Sequence, residues 1–220
     1  MPTLRRSRMA AGFVSLFFGL VAPLCAQSSF ELAPLYGYYR PTGDFAPASV
    51  YSTRLPVKPS DLSGTAWGAQ AQLWLGRRLG VQVQAAVANS IIPGGPTPGF
   101  GPSPPTAAQV LVVTAQGQYD LSPSPDRYRI WVSAGPGLVR HEGDAYSING
   151  NKPAISLGGA LGAGLNVPIV SRLSVTAGAD LLLYPLDVKL PPALSHNPGS
   201  LESGFQRDAL VHVGLAWSWR

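Results

Sequence analysis

Charge is scarce in this chain. Only 12% of its 220 residues are Asp, Glu, Lys or Arg, about half the ~25% usual in soluble globular domains. Low charge is expected beside long apolar stretches, yet no uncharged apolar run beyond residue 26 approaches the ~20 residues a membrane helix needs. Cysteine occurs once, at Cys25, and histidine three times, at His141, His196 and His212. No two histidines share metal-ligand spacing, so neither a metal nor any other cofactor is expected. The net charge of +5 suggests nucleic acid only until its source is found. Removing Arg5, Arg6 and Arg8 takes 16 basic residues to 13 against 11 acidic, a balance of +2. No Lys/Arg cluster with interleaved aromatics remains, which excludes nucleic acid as a partner.

Those three arginines belong to residues 1–26. They precede an uncharged run, Met9 to Ala22, and then Pro23-Leu24-Cys25-Ala26. A basic segment, a short apolar segment and a small residue make up a secretory signal peptide. Arg5-Arg6 is not followed by a twin-arginine motif, and Ala22-Pro23-Leu24 is a poor lipidation signal before Cys25. Cleavage after Ala26 leaves a mature domain, residues 27–220, without thiol chemistry and beyond the inner membrane.

What the chain has in abundance is alternation. In Phe205–Arg220 one parity carries Phe205, Ala209, Val211, Val213, Leu215, Trp217 and Trp219, broken only by Arg207. The other carries Gln206, Asp208, His212, Gly214 and Ser218. A period of two over so many pairs is a β-strand long enough to cross a bilayer. Seven more segments alternate in the same way. They start at Phe30, Thr65, Val81, Gln109, Tyr128, Ile155 and Leu173, and no helical period lies between them. The connections run long, short, long, short, long, short, long. The long ones are Pro41–Gly64, Pro93–Pro105, His141–Lys152 and Lys189–Ser203; Pro93–Pro105 alone holds six Pro and four Gly. Membrane barrels have this rhythm, with short periplasmic turns and longer outer loops. The expected fold is all-β: an eight-stranded antiparallel up-and-down transmembrane β-barrel. A soluble lipocalin-like barrel alternates too, but would carry Lys and Glu on its polar face. Here that face is Gly, Ala, Ser and Gln.

The run His212-Val-Gly-Leu-Ala-Trp-Ser-Trp219 resembles the C-terminal assembly signal of bacterial outer-membrane barrels. His212, Gly214, Trp217 and Trp219 are its matching residues, and Arg220 after the aromatic is a departure. Over residues 27–220 the chain resembles the small outer-membrane β-barrel family that includes the OmpA-type membrane domain. The resemblance implies an outer-membrane location, with membrane lipid and the barrel-assembly machinery as partners.

Inward positions are expected to hold a polar network: Glu31, Arg129, Arg140, Asp180 and Asp208, with Gln70, Gln84 and Gln116 among the amides. Buried charges must be paired and hydrogen-bonded. The glycine-rich Gly158–Gly164 opens no helix and matches no phosphate loop; small inward residues there leave room for Trp74 and Trp131. Ser195-His196-Asn197 sits in an outer connection, where some outer-membrane barrels carry a Ser/His pair that modifies lipid A. The order and spacing differ and no orienting carboxylate is identifiable, so no enzyme is expected. The reading favoured by the sequence is a structural or surface-interaction barrel with a filled lumen, with a narrow pore or small-solute channel as the alternative and a lipid A-modifying enzyme as the second alternative.

Overall fold

A computed structural model describes residues 28–42, 62–92, 105–124, 127–142, 155–186 and 204–219. The segment expected to be a signal peptide and most of the long connections lie outside them. Eight strands follow one another: β1 Ser29–Pro41, β2 Gly64–Leu75, β3 Leu79–Ile92, β4 Thr106–Asp120, β5 Arg129–Glu142, β6 Ile155–Val170, β7 Leu173–Leu186 and β8 Gly204–Trp219. Each pairs antiparallel with its sequence neighbour, and β8 closes on β1 through pairs such as Leu32↔Trp217 and Tyr36↔Val213. A closed ladder leaves no unpaired edge, which is the condition for crossing hydrocarbon with strands.

The short connections are built from residues suited to them. Leu75↔Leu79 closes the β2–β3 hairpin, whose Gly76 has φ +81°, a left-handed conformation that costs glycine little. In the β4–β5 connection the Asp120 carboxylate accepts the Ser122 amide at 2.8 Å, and the Ser122 hydroxyl accepts the Ile130 amide at 2.6 Å. Ser171 and Arg172 join β6 to β7 after a register shift between Pro168 and Val170. Proline leaves its mark inside two strands. The β1–β8 pairing skips Ala33 and Pro34, and the β4–β5 pairing skips Gly135 and Pro136, because proline has no amide hydrogen for a ladder.

The hand of the alternation decides what the barrel is for. Val213 is 47% exposed and Leu215 51%, whereas Gln82 and Trp131 on the inward parity are fully buried. Apolar side chains therefore face out and polar ones in, the reverse of a soluble barrel. Outward Tyr36, Tyr38, Trp67 and Phe205 lie toward the long connections; Phe30, Tyr119, Trp217 and Trp219 lie toward the short ones. These are the two aromatic girdles of a membrane barrel.

Several strands run beyond their expected limits at one end, and at one of these ends this changes a residue's setting. β5 continues through His141 and Glu142, so His141 leaves the expected loop and points into the lumen, 2% exposed. The inward parity of Val139 extends to it, and the neighbouring strands are still there to pair with.

Candidate functional site

Eight strands enclose only enough space for side chains, so the interior is the natural place to look for chemistry. It is layered. At the short-turn end, Arg129 lies 3.8 Å from both Glu31 and Asp120 and stacks over the Trp74 ring at 4.4 Å. Asn166 donates to the Glu31 carboxylate at 2.7 Å. A cavity of about 310 Å³ opens here, bordered by Glu31, Arg129, Asn166, Ser174 and Ser218.

Above it lies an amide layer. Gln72 donates to Gln82 at 3.0 Å, Gln82 to Gln84 at 2.8 Å, and Gln118 also donates to Gln82. Gln116, the cross-strand partner of Gln82, donates across the lumen to Asp180 at 3.0 Å and accepts from Ser133, while His212 Nε2 sits 3.2 Å from the other Asp180 oxygen. Gln70 reaches Thr176 at 3.4 Å.

The next layer is apolar. Ala66, Ala86, Ala88, Val110, Val112, Val139, Ala160, Leu182 and Leu210 form one buried cluster across the lumen. The packing void bordered by Leu35, Ala66, Gln84, Leu210 and His212 has no room for a water molecule. Beyond it, at the long-loop end, Tyr39 and Tyr184 both donate to the Asp208 carboxylate, and the Tyr184 hydroxyl is 3.3 Å from His141 Nε2. Two polar clusters thus lie on either side of this apolar packing, to which the Tyr39 and Tyr184 rings also belong.

Glycines make this filling possible. A Cβ on Gly164 would collide with the Trp131 indole, one on Gly80 would come within 2.9 Å of Trp74, and one on Gly162 within 2.5 Å of the Asp180 carboxylate. Strand β6 is glycine-rich because side chains of the adjoining strands, Trp131 of β5 and Asp180 and Tyr184 of β7, lean across it.

Of the residues expected inside, Glu31, Arg129, Asp180, Asp208, Gln70, Gln84 and Gln116 point into the lumen, but they do not form a single network. Glu31 and Arg129 meet at one end, Asp180 and Gln116 in the middle, Asp208 at the other end. Arg140 does not belong with them. It shares the parity of Ile130, Val132 and Leu138, faces outward at the long-loop end, and pairs with Glu142 at 2.6 Å on an exposed surface. Counting two residues at a time from Leu138 places it there; its charge, not its parity, suggested the lumen. Asp120, Asn166, Tyr39, Tyr184 and His141 are lumen partners that the sequence reading missed. The first two sit next to turns, Tyr39 is the last residue of the first expected strand, and Tyr184 and His141 lie beyond the expected strand ends.

In the C-terminal pattern, Trp217 and Trp219 face outward, and Phe30 packs against Trp219 with ring centres 5.5 Å apart. His212 faces inward to Asp180, and Gly214 is where the Pro34 carbonyl of β1 comes close. Ser195, His196 and Asn197 lie outside the described residues. Among the described residues no three His, Cys, Asp or Glu side chains are grouped to hold a metal.

No family model matches the chain, and no curated protein matches it by sequence. Solved structures do match. Neisserial surface protein A is 12% identical with a TM-score of 0.52, the match covering 87% of this chain and 98% of that one. The outer membrane protein OprG of Pseudomonas aeruginosa is 12% identical with a TM-score of 0.52, covering 88% and 96%. Identity this low carries the fold and nothing finer. Closed ladder, outward apolar belt and these neighbours agree: the chain has the fold of the small eight-stranded outer-membrane β-barrels.

Proposed function

We propose that this protein resides in the outer membrane and acts at its outer surface, through its four long connections, as a structural or surface-interaction protein. The observation that carries this reading is the apolar layer of Val110, Val112, Val139, Leu182 and Leu210 across the lumen. An ion crossing it would shed its hydration against groups that offer no replacement, which is prohibitively costly. Purified protein in planar bilayers should therefore be electrically silent. Stable stepwise currents would refute a surface role and favour the second reading, a narrow pore. That alternative draws on the polar half of the lumen and on the open cavity beside Glu31 and Arg129. Widening the apolar layer with Leu182→Gly and Leu210→Gly should create currents where the parent shows none.

A further inference from the structure

The three short turns share a feature that neither the lumen nor the outer surface uses. Each carries exposed arginine: Arg77 and Arg78 between β2 and β3, Arg127 between β4 and β5, and Arg172 between β6 and β7. The turns occur at every second strand junction, so these cations are distributed around the rim. Among the described residues no exposed carboxylate accompanies them. Among the described residues the carboxylates at this end are Glu31 and Asp120, both buried inside the barrel and engaged with Arg129. Asp126 lies outside the described residues.

The arginines also sit at a particular depth. Arg78 reaches the Tyr119 hydroxyl at 3.3 Å, and Tyr119 faces outward in the aromatic girdle. The Arg172 carbonyl accepts the Ser218 amide at 2.8 Å, between outward Trp217 and Trp219. Aromatic girdles mark the membrane–water interface. Cations adjoining that girdle stand at the level of lipid headgroups, where a guanidinium and a phosphate make forked, charge-assisted hydrogen bonds.

We infer that the short-turn rim is a binding surface for anionic phospholipid headgroups of the periplasmic leaflet. The inference rests on the outer-membrane reading above, which makes this end periplasmic. Bound phosphates neutralise the exposed arginines of the rim. The guanidinium groups in turn hold the rim at a fixed depth.

The test refolds a Trp67→Phe protein, with and without Arg77→Gln, Arg78→Gln, Arg127→Gln and Arg172→Gln, into vesicles. The vesicles combine phosphatidylcholine with phosphatidylglycerol, and one lipid at a time is brominated on its acyl chains. Quenching of the girdle tryptophans then reports which lipid collects at this rim. The parent should prefer phosphatidylglycerol about fivefold, with the preference falling as salt is added. The quadruple variant should show no preference, while Arg40→Gln with Arg207→Gln at the opposite rim should keep it. An equal preference in parent and quadruple variant overturns the inference. So does a quadruple variant that loses only pelleting with purified peptidoglycan. Failure of the parent to give a compact unboiled gel band in any vesicle would instead sink the membrane reading itself.

Discussion

Replacing Val213 by arginine distinguishes a membrane barrel from every soluble alternative. Val213 lies near the middle of β8, outward, between Ala177 on β7 and Tyr36 on β1. From it to Trp219 is six residues, ~20 Å along a strand that rises ~3.3 Å per residue, or ~14 Å of depth at a tilt of ~45°. From it to Phe205 is eight residues, ~26 Å along the strand and ~19 Å of depth by the same geometry. Those distances bracket half of a ~30 Å hydrocarbon core, which places Val213 close to the bilayer midplane. Arginine there should cost ~2–4 kcal/mol, and at Phe205 only ~0–1 kcal/mol. The assay is reversible denaturant unfolding from phospholipid vesicles, followed by fluorescence and by the gel shift between unboiled and boiled samples. If the outward face met water instead, both substitutions would fall within about 0.5 kcal/mol of the parent. Equal small effects at the two positions would refute the reasoning, since no membrane barrel lacks a depth gradient.

Other outcomes follow from the lumen. Gly164→Ala drives a methyl group into Trp131 and should destabilise by ~1–3 kcal/mol, whereas Gly159→Ala, whose Cβ would meet nothing nearer than 4.0 Å, should be nearly neutral in the same unfolding assay. Asp180→Leu strips both His212 and Gln116 of their buried partner and should cost ~3–5 kcal/mol; adding His212→Leu should recover part of that loss, and a strictly additive double variant would show that the two do not interact. Arg140→Ala removes an exposed ion pair and should cost no more than ~1 kcal/mol, while Arg129→Ala, which leaves buried Asp120 and Glu31 without their cation, should cost several times as much.

How far these expectations reach into the sequence depends on the range of the physics behind them. Strand number, order, alternating connection lengths and the outward hand of the apolar face all follow from period-two alternation and turn residues, which act over a few positions. Val211, Val213, Leu215 and Trp217 are each two apart, and no distant residue is needed to see that they share a face. The same arithmetic correctly applied puts Arg140 outside with Leu138. Strand ends were harder, because His141 and Tyr184 stay in the barrel through pairing with neighbours whose own lengths the local pattern does not announce.

The lumen was decided only by closure. Once β8 pairs with β1, the stagger between all eight strands sets which inward residues share a level. Asp208 then meets Tyr39 across the β1–β8 seam, 169 residues away in sequence, and Asn166 meets Glu31 across 135. Alternation names the inward face of a strand but is silent about height. For that reason the sequence alone determined that Val110, Val139, Leu182 and Leu210 share the inward parity, while only the tertiary structure assembled them into one apolar layer between two polar clusters.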